Sequence, residues 1–343
     1  MKAMVIEQLG EIREDSQPLK QIERERPHPG TGEVLIRLHC CGVCHTELDE
    51  MEGRTPPESL PRVPGHQAVG TIEELGTGMH TLQPGTRVGV AWIYSSCGEC
   101  EYCQRGDDNL CREFQATGRD ADGGYAEYMC APAAYVFPLP DELSDEAAAP
   151  MLCAGAIGYR SLRLTDLEDG QRLGMTGFGA SAHLMMKMIH GLFPNSPVYV
   201  FARRQEERDY ALSLGAVWAG DTDEQPPELL HAIIDTTPAW LPIVRAMEAL
   251  LPGGRLVINA IRKENRDQSE LSQIQYETHL WMEKEIKTVA NVSRRDVSEF
   301  LALAARLHIQ PEVQSYPMEQ ANQAIIDMKF KPIRGAKVLM INP

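Results

Sequence analysis

The stretch Ser95–Cys111 reads SSCGECEYCQRGDDNLC and holds four of the chain's nine cysteines, at Cys97, Cys100, Cys103 and Cys111. Steps of two intervening residues let a loop fold back and aim several thiolates at one point. Four sulfurs at the corners of a tetrahedron satisfy zinc and leave no position open for substrate, so the spacing predicts a structural zinc. An iron–sulfur cluster uses similar steps and competes with that reading. Four reduced surface cysteines are the bland alternative. Elsewhere HCCGVCHTELD (39–49), VPGHQAVG (63–70) and APMLCAG (149–155) carry Cys44, His66 and Cys153. Alone these three are a weak constellation, since a histidine beside a glycine is more often structural. Cys40, Cys41 and Cys130 are expected to pack as small hydrophobes.

Such groups need elements to position them. QRLGMTGFGASAHLMMKMIHG reads as strand, glycine turn and helix. Its Gly177-x-Gly179-x-x-Ala182 fits the dinucleotide fingerprint, in which glycines let the backbone approach a pyrophosphate. The helix N-terminus over Ala180, Ser181 and Ala182 would supply N–H donors to that group. Downstream, VYVFAR (198–203), HAIIDTT (231–237) and RLVINAI (255–261) read as strands. Between them lie the helices RDYALSLG (208–215) and AWLPIVRAMEALLPGG (239–254), the second stopped by Pro-Gly-Gly. Strand–helix alternation predicts a doubly wound parallel sheet. Residues 1–154 differ in texture, being rich in glycine, proline and short β-like runs.

Composition sets further bounds. A chain of 343 residues suits one large or two moderate domains. With 49 acids against 33 Lys and Arg, the net charge of −16 argues against nucleic acid and anionic membrane as partners. No apolar run reaches the ~18–20 residues that span a bilayer. The start MKAMVIEQLGEIRED carries acids where a secretory signal needs an apolar run. Together with an odd number of cysteines, this predicts a cytoplasmic protein with thiols and metal rather than disulfides.

Taken together, GVCHTE (42–47), PGHQAVG (64–70), the four-cysteine lobe, DGGYAEY (122–128), PMLCAG (150–155) and GFGASAH (177–183) resemble the zinc-dependent alcohol dehydrogenases of the medium-chain dehydrogenase/reductase superfamily. The resemblance spans essentially the whole chain and is nearest to a bacterial branch with GHQ and GFGASAH signatures. It implies an α/β fold: a β-rich chaperonin-10-like catalytic domain over 1–154, with a structural zinc lobe at 95–112, a Rossmann domain over 155–287, and a return to the catalytic domain over 288–343. It further implies that Cys44, His66 and Cys153 hold a catalytic zinc with one open position, giving two zinc ions per chain. Polyol dehydrogenases of the superfamily carry glutamate in place of Cys153. Most relatives carry Glu at Gln67, so a neutral amide there should alter metal lability.

The family's proton path begins at the hydroxyl corresponding to Thr46. Many relatives end it at a histidine where this chain has Asp49, which reads either as a relay or as a solvated turn acid. His45 is a second candidate, near the cofactor pyrophosphate. NAD-specific relatives carry Asp at Ala202. Its absence, followed by Arg203 and Arg204, favours NADP over NAD, while two solvated arginines paired with Glu206 and Glu207 are the competing reading. Trp92 and Thr46 fall where relatives line the alcohol channel. The resemblance therefore implies an oxidoreductase for small or medium primary alcohols and aldehydes. It also implies a homo-oligomer, a tetramer ahead of a dimer. The alternatives are a zinc-independent quinone or enoyl reductase and a non-catalytic zinc-containing nucleotide-binding protein.

Overall fold

The computed structural model describes residues 1–79, 81–331 and 335–342; within the helix Ala180–Leu192 the side chains of Ala180, Ser181 and His183 are left out. The chain divides into two compact units, 1–156 with 292–343, and 157–291.

The first unit is built on one long strand, β1 (Glu33–Val43), and its sheet neighbours β2 (Ala68–Leu75), β3 (Arg87–Val90), β4 (Tyr128–Pro132) and β5 (Val136–Pro138). β1 pairs antiparallel with both β2 and β4, and β3 bridges β2 to β5. Residues Cys40–Val43 at the end of β1 are all buried, so this end runs through the core formed by Ile36, Leu38, Val88, Tyr125, Met129 and Ile325. It delivers the chain to α1 (His45–Met51). The loop into β2 turns at Gly65, whose φ of +100° suits glycine. A Cβ there would lie 2.4 Å from the Tyr125 ring, so glycine is also a steric requirement. Later, α2 (Asp145–Pro150) is capped by Ser144, whose hydroxyl accepts the Ala147 N–H.

The second unit is a parallel sheet. In chain order its strands are β6 (Leu173–Thr176), β7 (Val198–Phe201), β8 (Trp218–Gly220), β9 (Leu230–Asp235), β10 (Leu250–Ile258) and β11 (Glu285–Thr288). Their spatial order is β8-β7-β6-β9-β10-β11, which is the 3-2-1-4-5-6 order of a Rossmann fold. The helices α3 (Ala180–Leu192), α4 (Gln205–Ser213) and α5 (Leu241–Glu248) lie between strands in sequence. Sequence reading ran α5 on to Pro252-Gly253-Gly254. The helix instead stops at Glu248, because Leu250 already pairs with Leu230 in the sheet. The Pro-Gly-Gly residues fall within β10 at a register shift, before Arg255 pairs with Ala232.

The chain then re-enters the first unit through α6 (Arg294–Arg306), β12 (Val313–Pro317), α7 (Ala321–Phe330) and β13 (Ala336–Met340). β13 pairs antiparallel with the Cys40–Val43 end of β1, bracing the strand that leads into Cys44. Among the described residues no helix is long and apolar enough to cross a membrane.

Candidate metal and active site

Cys44 is the N-cap of α1, His66 follows Gly65, and Cys153 sits on a single π-helical turn, Met151–Gly155, that continues α2. Such turns recur at functional sites because they re-aim one side chain out of helical register. Cys44 Sγ and Cys153 Sγ are 3.9 Å apart, and His66 Nε2 is 3.2 Å from Cys153 Sγ. With Zn–S near 2.3 Å and Zn–N near 2.0–2.1 Å, a tetrahedron has edges of about 3.5–3.8 Å. The three ligand atoms all lie within 4.8 Å of one another, so they fit zinc and are too far apart for a disulfide.

The ligands are themselves held. The Cys44 N–H donates to Glu47 Oε2 at 2.7 Å, while Glu47 Oε1 lies 2.6 Å from His66 Nδ1. A proton on Nδ1 would leave Nε2 free to face the sulfurs, the usual support for a metal-binding imidazole. Contact with Cys153 holds the Cys44 thiol well below its usual range, and the same contact together with burial pushes Cys153 well above it. Two thiolates this close repel each other, and a cation beside them is what would let both ionise.

The four-cysteine lobe forms a second, separate cluster. Cys97–Cys103 sulfurs are 3.8 Å apart, Cys100–Cys103 3.5 Å and Cys97–Cys111 3.5 Å, again the edges of a zinc tetrahedron. Backbone N–H groups of Cys97 and Glu113 donate to Cys111 Sγ, and that of Cys100 to Cys97 Sγ. The lobe is anchored by buried Asp108, which accepts from the Arg294 backbone at 3.1 Å and from its guanidinium at 2.5 Å. Arg294 also stacks over Tyr135, 4.8 Å from the ring centre.

The other predicted residues vary. Thr46 is half-buried, its hydroxyl 3.7 Å from Cys44 Sγ, and His45 is exposed. Asp49 is not a solvated turn acid. It lies on α1, is 4% exposed, and is ion-paired with Arg54 at 2.5 Å. Trp92 is half-buried against Phe114 and beneath the Arg119 guanidinium. In the second unit Gly177 has φ +77°, and a Cβ there would meet Thr236 Oγ1 at 2.9 Å. Gly179 caps α3 and Ala182 is buried. The expectations for the side chains of Ala180 and Ser181 lie outside the described residues. Ala202 is buried, and Arg203 and Arg204 are exposed, Arg204 reaching Glu207 at 3.8 Å.

Sequence reading missed several residues. Glu47 had a signal, an acid three places after a helix N-cap. Arg208 had none: its guanidinium donates to the carbonyls of Ala202 and Arg203 and so fixes the end of β7. Asp235 and Lys263 form a buried ion pair of 2.5 Å at the end of β9, with Thr176 and Thr237 hydroxyls also donating to Asp235. It ties β6 to β9 where the strand order reverses, the crevice in which such sheets bind ligands. Asp235→Ala would leave Lys263 buried without its counter-charge, held by the carbonyls of Thr237 and Ala239. We expect a loss of about 3–5 kcal/mol in denaturant unfolding of the second unit.

Comparison with known proteins decides the family. Residues 30–141 match the alcohol dehydrogenase GroES-like domain. The chain is 40% identical over 332 residues to a probable alcohol dehydrogenase of Mycobacterium tuberculosis, covering 95% of this chain and 94% of that one. The chain belongs to the alcohol dehydrogenase family of the medium-chain superfamily. An alcohol dehydrogenase of Geobacillus stearothermophilus is 34% identical over the full length of both chains. A cinnamyl alcohol dehydrogenase from Sorghum bicolor has a similar fold, with TM-score 0.86 at 25% identity, covering 99% of this chain and 97% of that one. The protein is thus an oxidoreductase with the family's GroES-like and Rossmann architecture.

Proposed function

We propose that this alcohol dehydrogenase uses zinc and a nicotinamide cofactor to interconvert small or medium primary alcohols and aldehydes. The observation that carries the reading is the Cys44, His66, Cys153 donor set, three ligands in tetrahedral spacing with a buttressing Glu47. When bound, zinc supplies a Lewis acid for the alcohol oxygen and the nicotinamide supplies the hydride acceptor. The chain's own groups do the rest. Glu47 keeps His66 oriented. Thr46, beside Cys44, takes the substrate hydroxyl proton and passes it on. Asp49 is engaged by Arg54, so the proton leaves through exposed His45 and water rather than through Asp49. Trp92, packed on Phe114, supplies a rigid aromatic wall. Cys97, Cys100, Cys103 and Cys111 hold the second zinc, which does no chemistry because four thiolates leave it no open position. The direct test is alcohol oxidation and aldehyde reduction by metal-replete protein with both cofactors. Absence of turnover across a broad panel of alcohols would end the proposal.

NADP is the favoured cofactor. Gly177, Gly179, Ala182 and the N-terminus of α3 would receive the pyrophosphate. The small side chain of Ala202 and the two exposed arginines suit a 2′-phosphate better than a free 2′-hydroxyl. Ala202→Asp should lower the NADP:NAD ratio of kcat/KM at least tenfold, mainly through KM. An unchanged ratio would mean that the arginines are surface charges paired with helix acids.

We also place the enzyme in the cytoplasm, since all nine cysteines are free, and read it as a homotetramer, with a dimer as the next choice. Support comes from β11, an edge strand exposed at all four positions, next to exposed Trp281 and Met282 and carrying exposed Ile286. An open edge strand is a pairing template, here with Ile286 between Glu285 and Lys287, and a second copy of the same chain would cover it. Ile286→Lys should lower the molecular mass measured by light scattering.

A further inference from the structure

Glu50 makes no hydrogen bond to Cys44, His66 or Cys153. It lies on α1, three residues beyond Glu47, and that spacing puts the two acids on one helix face together with the Cys44 end. It is 0% exposed, and neither carboxylate oxygen has a hydrogen-bond partner among the described residues. The charged groups that act on it are Glu47, His66, Arg119 and Cys44. Of these, Glu47 is committed to His66, and Arg119 is committed to Asp120 through two contacts of 2.7 and 2.8 Å. A buried carboxylate with no donor and a like charge one turn away is strongly disfavoured unless a cation sits nearby. Burial, then Glu47, pushes its acid well above the usual carboxylate range. Gln67, also buried, follows His66 directly, packs against Gly42 and brings no charge of its own.

We propose that Glu50 is a positioning residue for the catalytic metal, its carboxylate supplying the negative charge that retains the cation held by Cys44, His66 and Cys153. This rests on the zinc reading above. Two thiolates and a neutral imidazole balance a divalent cation, and the Glu47 carboxylate on His66 already tips the surroundings negative. A second carboxylate on α1 adds to that charge and further opposes departure of the metal. Groups that act on a metal from just outside its ligands change affinity by about 10- to 100-fold.

The test is release of zinc from the full-length loaded protein to a coloured chelator, followed in time. Wild type should show two phases, one per site. Glu50→Gln, nearly isosteric, should speed the catalytic-site phase about 10- to 100-fold and leave the four-cysteine phase unchanged. Adding Gln67→Glu to that variant should slow the phase again by returning a charge beside His66. A catalytic-site phase within twofold of wild type overturns the proposal. So does acceleration of both phases, which would mark a structural role, and so does failure of Gln67→Glu to slow release. A wild type with only the four-cysteine phase would instead remove the zinc reading on which the proposal stands.

Discussion

Cys44→Ser should lower kcat/KM for alcohol oxidation by at least about 10³-fold, equivalent to roughly 4 kcal/mol of transition-state stabilisation. The serine hydroxyl does not ionise near neutral pH, so the site keeps one thiolate and one imidazole in place of two thiolates and one imidazole. The metal then carries excess positive charge and one ligand fewer. NADPH should still bind with unchanged affinity, because the glycine turn, Ala202 and the arginines belong to the other unit. Fluorescence titration of NADPH beside steady-state kinetics separates the two effects. A hydride transfer that survived the substitution would favour a quinone or enoyl reductase, which needs no metal.

Substitution in the lobe should act on stability rather than chemistry. Cys100→Ser removes one corner of the four-sulfur cluster, and three thiolates with a weak oxygen no longer close the shell. Apart from the Asp108–Arg294 anchor, little packing organises this segment: its helical turns span only Glu101–Gln104 and Asp108–Leu110, and few of its residues are buried. Structural zinc contributes about 10–16 kcal/mol of apparent binding energy to small zinc-dependent folds, an upper bound for the lobe. We expect loss of one zinc, proteolytic cleavage within 95–112, and a fall in Tm of several degrees. Initial activity measured at low temperature should be largely kept. The Asp108–Arg294 contact sets a smaller version of the same experiment: Asp108→Asn should cost about 1.5–3 kcal/mol, as for a hydrogen bond to a charged group. Unfolding monitored by Trp92, next to the lobe in sequence, would report it.

The features legible in sequence were those whose partners are near in the chain or whose backbone demands are unusual. The x2 steps of Cys97, Cys100 and Cys103 encode a tight loop by themselves. Gly177 encodes a turn that other residues resist. Cys44, His66 and Cys153 are 22 and 87 residues apart in sequence, and the family motifs around them, not their spacing, brought them together. What escaped depends on burial and tertiary pairing. Nothing local distinguishes Asp49, buried and paired, from a surface acid on a short helix. Glu50 looks like any helix acid until both its oxygens are found enclosed. Asp235 and Lys263 meet across 28 residues, so their pairing has no local trace. The early end of α5 has the same origin, since pairing of Leu250 with Leu230 outweighs the helical preference of the residues before Pro252.

One chain is proposed to carry two zinc sites with different duties. This is tested most directly by counting metal per chain in wild type and in Cys153→Ser, both purified without chelator, with alcohol oxidation measured on the same samples. The account predicts two zinc ions in wild type and about one in the variant, with turnover lost. One zinc in both proteins would show that Cys153 binds no metal and would contradict the dehydrogenase mechanism; iron with labile sulfide would contradict the assignment of the four-cysteine lobe.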